Sequence, residues 1–381
     1  MYLWGGALAR RSSLSWRIIV LIVVSALMSR KIAVAGEVDS ALVSSQALWV
    51  SNGGSASNFI TELPQSQLQH SGLPKFALNT GRSNVGYIGK LAFDQAGNLW
   101  IPFCGNETTT YGLVAAFSPA ALDQFAAGNR RVKPKAELIG SGFNCPIALA
   151  FDHSGNLWIE NAGFSDHNSK SIIEYTASSL LQKNSAPSVT LTSSSFEFLR
   201  RLAFDAAGDL WVTNEANDET DGVYEFTPQQ LSTGGSQPAG LILQSSIFHN
   251  PEDIIFDAAN NIWIDYGGNN QPQPGPGGVQ MFAAANLTGS GAIKPPPGVT
   301  IGGQPPCSVL AVCFPSALAF DQNGNLWIAQ SDTISEFTTA QLASGNPSLA
   351  QVILASDLRS AHGGRLNFGG PGYITFGPET K

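Results

Sequence analysis

Charge is scarce in this chain. Only 13% of its residues are charged, and 20 Lys and Arg stand against 28 Asp and Glu, a formal charge of −8. No basic patch alternates with aromatic residues. Nucleic acid is therefore not an expected partner, because its recognition needs clustered Lys and Arg to neutralise phosphates. Cysteine is limited to four residues, with no Cys-x-x-Cys spacing and no His within a few positions, so a cysteine–histidine metal cluster is not expected. There is no Gly-x-Ser-x-Gly, no phosphate loop and no convincing Ser/His/Asp set. The apolar run from Ile18 to Met28 is eleven residues, short of the roughly 20 that cross a bilayer.

What is present is a repeat. Leu91 to Ile101 reads Leu-Ala-Phe-Asp-Gln-Ala-Gly-Asn-Leu-Trp-Ile, and its pattern returns at 149–159, 202–212, 255–264 and 318–328. Alternation of Leu91 and Phe93, then of Leu99 and Ile101, is the period of strands. Between them, Asp94 can bond the backbone ahead of it, and Gly97 can take the positive φ of a tight reversal. Asp152 with Gly155, Asp205 with Gly208 and Asp321 with Gly324 repeat the turn, and Asp257 uses Asn260 in place of Gly. The turn Asp residues fall 52 to 64 positions apart, a spacing of repeat folds, and hairpin units point to a propeller.

Each hairpin is followed by a third strand, a short Ser- or Thr-Pro turn such as Ser118-Pro119 or Thr227-Pro228, and a fourth strand. Four antiparallel strands make a blade. Ala47 to Val50 is a second strand lacking a first, and Tyr373 to Phe376 is a first strand lacking a second. The expected fold is all-β: a six-bladed β-propeller of four-stranded blades, closed by the N- and C-terminal strands sharing one blade. Six of the eight tryptophans (Trp49, Trp100, Trp158, Trp211, Trp263 and Trp327) recur once per blade. They are expected to pack between neighbouring sheets.

Residues 1–35 read as a signal peptide, with Arg10, Arg11 and Arg17 before the apolar run and Ala33-Val34-Ala35 as a cleavage site. Retention as an anchor is the alternative. Residues 36–46 read as a linker and 47–378 as the propeller. Without the leader's five basic residues the formal charge is −13. An exported protein, secreted or periplasmic, is expected, without a membrane span after cleavage and as a monomer. In that setting Cys104 is expected to pair with Cys145, because the loops bearing them share a face, and Cys307 with Cys313, because both lie in one Gly/Pro-rich loop.

Pro146 to Ile159, with its Pro, apolar strand, Asp, Gly-Asn and second strand, resembles the six-bladed propellers of the NHL-repeat type. More distantly the chain is similar to the gluconolactonase, strictosidine-synthase and streptogramin-lyase propellers. The gluconolactonase resemblance implies a divalent cation held by residues entering the innermost strands. The matching positions are Ile147, Arg200, Glu252 and Ser316, of which only Glu252 is a carboxylate and the expected metal ligand. The streptogramin-lyase resemblance implies a His and acid pair, for which His249 beside Glu252 is the nearest match.

On this face Glu160, Asn161, Asn214, Glu215 and Asp265 are each expected to follow a second strand. Asn217, Asp218, Glu219 and Asp221 form an acidic loop. Such oxygens could serve a cation such as calcium, and a solvated loop rim is the alternative. The expected ligand-binding set is Glu252, Asp253, Asn144, Arg200, Glu160, Asn214, Asp265 and His249. His167 and His362 lie on loops of the same face, and His153 on the opposite one. Two functions follow from these residues. One is a propeller scaffold binding an unidentified protein or small molecule through its loop face and central channel. The other is a metal-dependent hydrolase or lyase, lactonase-like, at the channel mouth.

Overall fold

The structure is a computed structural model. It describes residues 46–51, 59–68, 76–79, 87–106, 110–129, 132–140, 142–163, 170–216, 221–246, 250–267, 277–302, 312–330, 333–344, 351–354 and 372–380. These form six sheets in a ring, each led by an innermost strand. Blade 1 runs Tyr373–Pro378, Gln46–Ser51, Phe59–Pro64 and Phe76–Asn79. The closing strand pairs antiparallel with the first, Trp49 opposite Thr375 and Val50 opposite Ile374, so the two ends of the described chain complete one blade. Blades 2 to 6 follow in order, with second strands Leu99–Asn106, Leu157–Asn161, Leu210–Glu215, Ile262–Tyr266 and Leu326–Gln330.

Three sheets depart from four strands. The innermost strand of blade 2 is split into Tyr87–Ile88 and Ala92–Phe93. At the break, Gly89 approaches blade 3 so closely that a Cβ there would stand 2.0 Å from the Ile147 carbonyl oxygen. Lys90 N–H accordingly donates to that carbonyl rather than to its own blade. Blades 3 and 4 each gain a fifth, parallel strand, Gly235–Ser236 and Gly291–Ile293, from the unit that follows. Each addition covers an outer edge that would otherwise leave backbone groups unpaired.

The repeat acts as expected from its turn chemistry and does more. Asp94 Oδ1 accepts from the N–H groups of Ala96 and Asn98, while its Oδ2 accepts from Trp100 Nε1 at 2.9 Å. The same Asp–Trp bond recurs at Asp152, Asp205, Asp257 and Asp321. In blade 1, where Gly377 replaces the Asp, Trp49 Nε1 donates to the Pro378 carbonyl instead. Gly97, Gly155, Gly208, Gly324 and Asn260 all have φ between 62° and 86°.

Each tryptophan then packs edge-on against the phenylalanine of the next blade's Leu-Ala-Phe-Asp segment or its equivalent. Trp49 meets Phe93, Trp100 Phe151, Trp158 Phe204, Trp211 Phe256, Trp263 Phe320 and Trp327 Phe376, with centroids 5.5–6.2 Å apart. The six contacts carry the core around the ring. Ser118, Thr227 and Thr338 cap the short helices after the third strands of blades 2, 4 and 6.

Candidate functional site

The innermost strands set the site. In four blades this strand carries a β-bulge, in which two residues oppose one on the second strand. The pairs are Ile147 and Ala148, Arg200 and Arg201, Glu252 and Asp253, and Ser316 and Ala317. Bulges re-aim side chains, and here the second residue of each pair joins a ring of positions just before the repeated Leu or Ile. In blade order that ring reads Tyr373, Lys90, Ala148, Arg201, Asp253, Ala317.

Positions three blades apart face each other across the channel, and they are complementary. Lys90 Nζ of blade 2 donates to both carboxylate oxygens of Asp253 in blade 5, at 2.5 and 2.7 Å. Asp253 is wholly buried and also accepts from the N–H groups of Leu318 and Ile254. The guanidinium of Arg201 in blade 4 lies 3.9 Å from the ring centroid of Tyr373 in blade 1, a cation–π contact. The third opposing pair is Ala148 and Ala317, without long side chains. The waist of the channel is thus filled by two side-chain pairs that span it.

One layer outward, a hydroxyl two residues past the tryptophan links blades 1 and 4 to the blades that follow them, while Pro102 and Ala329 stand at that position in blades 2 and 6. Ser51 Oγ donates to the Gly89 carbonyl, and Thr213 Oγ1 donates to the Glu252 carbonyl at 2.8 Å. Blades 3 and 5 hold Glu160 and Asp265 at this hydroxyl position. Both are wholly buried. Burial pushes the Glu160 carboxyl up to about 8, against the pull of Arg201 and Arg200. Asp265 is raised well above the carboxylate range, by burial first and then by neighbouring Asp253. Glu160 is therefore held neutral at pH 7, at a position where blades 1 and 4 carry a hydroxyl.

The expected site residues divide on this geometry. Glu160, Asn214 and Asp265 lie within second strands and are buried, rather than following those strands on a rim. Asn214 Oδ1 accepts the Glu197 N–H, just as Asn161 takes the Asn144 N–H and Gln330 the Cys313 N–H. These amides brace the entry loop of their own blade. Arg200 pairs with Glu215, with Glu252 also acting on its charge.

Among the described residues no three His, Cys, Asp and Glu side chains are grouped as a metal ion would require. His249, His167, His362, Asn217, Asp218 and Glu219 lie outside the described residues, as do 1–45. Asp221 accepts from the Ala216 N–H. Lys90, Arg201 and Tyr373 lie outside the set of residues expected from the sequence. The signal that finds them is the column of residues before each repeated Leu or Ile, read three blades apart.

Cys104 and Cys145 form the expected disulfide, joining the second strand of blade 2 to the entry of blade 3. Cys313 is also disulfide-bonded, while Cys307 lies outside the described residues. Cys145, Asn250 and Phe314 each precede the proline that opens an innermost strand, and each has a left-handed φ of 51–58°. For Phe314 this conformation is uncommon, and it leaves the ring 46% exposed on the loop face.

No family model matches the chain and no curated protein matches it. Solved structures do. A protein of unknown function from Bacteroides caccae aligns over 88% of this chain and 100% of its own at 13% identity, with a TM-score of 0.54. A virginiamycin B lyase from Staphylococcus aureus, solved with quinupristin, aligns over 78% and 83% at 10% identity, TM-score 0.43. PorZ, a surface component of the type-IX secretion system of Porphyromonas gingivalis, is covered over 39% of its length at 16% identity, TM-score 0.43. The first of these likenesses shows the fold alone. That fold is a six-bladed propeller.

Proposed function

We propose that this chain is an exported, monomeric propeller that binds a protein or small-molecule ligand on its loop face and channel mouth. The observation that carries the reading is the pairing across the ring: Lys90 with Asp253 and Arg201 with Tyr373. Lys90 and Asp253 are engaged with each other rather than free to act on a substrate, and the ring is tied at its waist. Phe314, held outward on the rim, has the character of an interface anchor, and the Arg200–Glu215 pair lies near the mouth with Arg200 partly exposed. Export is supported by the leader pattern and by the Cys104–Cys145 disulfide, which suits an oxidising compartment. Among the described residues no helix is long and apolar enough to cross a membrane.

The test is capture of partners by the tagged, exported chain, with F314A as the matched control. Partners retained by the natural chain and lost from F314A support the reading. Equal recovery on both chains counts against the rim. Elemental analysis after dialysis examines the metal-dependent hydrolase or lyase alternative, and stoichiometric calcium or another divalent cation would favour it.

A further inference from the structure

Arg201 is held in an unusual way. Its side chain is 1% exposed. Nη1 donates to the Arg200 carbonyl, and the guanidinium face lies on Tyr373. Among the described residues Nε and Nη2 have no hydrogen-bond partner. Those two nitrogens form one edge of the guanidinium, the edge that makes two parallel hydrogen bonds to a carboxylate. A buried donor left unpaired is costly, and more so when it is charged, so an unpaired fork fixed in place by its other contacts favours a partner.

The surroundings narrow the choice. Glu160 is the nearby acid with both oxygens also unpaired and 0% exposed. It hydrogen-bonds neither nitrogen of the fork, and its raised pKa accords with an acid lacking a direct guanidinium partner. Asp253 is engaged by Lys90, and Arg200 by Glu215. Glu252, half-buried, is the remaining charge acting on both arginines. Beside the two pairs that span it, the channel waist therefore presents an unpaired bidentate donor edge next to a neutral carboxyl able to donate one further bond.

We propose that Arg201, with Glu160 beside it, is the receiving fork for the carboxylate of a small molecule entering from the channel mouth. The carboxylate accepts from Nε and Nη2 of Arg201 and from the protonated Glu160. This names the ligand class for the channel half of the function proposed above and rests on that reading.

Titration calorimetry on the full exported chain tests it with formate, acetate, succinate and benzoate, and with acetamide as the uncharged control. At pH 6 at least one carboxylate should bind saturably and acetamide should not. Above pH 8 binding should weaken, because Glu160 ionises and repels the ligand. E160Q should keep binding at both pH values, since the amide still donates. R201K, which cannot present a bidentate edge, should lose about tenfold or more in affinity.

Should R201K fail to fold, the contrast between the natural chain and E160Q across pH 6 to 9 decides alone. The inference is overturned if no carboxylate binds saturably, meaning that water alone satisfies the fork. It is equally overturned if acetamide binds as well as acetate, or if E160Q retains the natural pH dependence. A chain that captures partners through Phe314 yet binds no carboxylate loses this inference only. Loss of both results removes the binding reading as well.

Discussion

Removing the carboxylate of Asp253 should destabilise the whole ring. In D253A the Lys90 ammonium, its side chain 12% exposed, loses its only carboxylate within bonding distance among the described residues, and the Leu318 N–H loses its 2.8 Å acceptor. Breaking a buried ion pair by deleting one partner costs about 3–5 kcal/mol, because the other charge is stranded. Against a folding free energy of about 5–15 kcal/mol, that is a large fraction. K90M should cost less, since Asp253 keeps its two backbone donors. In the double variant D253A/K90M no charge is stranded, so its cost should fall well short of the sum of the two single costs. Urea denaturation followed by tryptophan fluorescence reads all three, because each of the six ring tryptophans is buried. If the single costs add to within about 0.5 kcal/mol, the two residues do not interact and the cross-channel pairing is wrong.

Deleting residues 366–381 removes the closing strand with buried Tyr373 and Ile374 and deprives Trp49 of the Pro378 carbonyl; an unchanged melting temperature in the trimmed chain would refute closure by the termini. I374A should by itself cost about 2–5 kcal/mol, measured by the same urea titration. Between about 4.5 and about 8 the folded chain keeps a proton on Glu160 that the unfolded chain has released. Stability should therefore fall as pH rises through that window and level off above it, and E160Q should flatten the slope in denaturation midpoints taken at pH 5, 6.5 and 8. Loss of the Cys104–Cys145 bond, which closes a separation of 41 residues, should lower stability by about 2–4 kcal/mol, seen by comparing C104S/C145S with the natural chain.

The blade count was legible because its signals are local and repeated. Asp and Gly within four residues build a turn, and one tryptophan at a fixed offset builds an inter-blade contact. The sequence could not say directly that the turn Asp also accepts the tryptophan N–H, though the constant offset of six residues carried that information. Glu160 and Asp265 are expected from the sequence to follow their second strands, because polar side chains at a strand end look like loop. The bulge across from them extends pairing by one more position and buries them. Arg200 was singled out for its place at the blade entry, but the bulge turns the next residue, Arg201, into the channel. Lys90 and Asp253 are 163 positions apart, and no local pattern joins them until the ring is closed and blades 2 and 5 are known to be opposite.

That closure also explains why a propeller would bury charges at its waist. Among the described residues opposite blades share no sheet and no tryptophan contact, since each of the six Trp–Phe pairs links neighbours. Apolar residues could fill the channel at lower desolvation cost, and such replacements are often neutral or stabilising. They would not, however, distinguish one blade order from another, because an apolar contact is indifferent to which Leu meets which Val. Lys90 with Asp253, and Arg201 with Tyr373, are satisfied only when blade 2 faces blade 5 and blade 1 faces blade 4. A ring that closed with five or seven units would strand both pairs. Charge at the waist therefore works as a count of the blades, and the unpaired edge of Arg201 is the part of that device left free to meet a ligand.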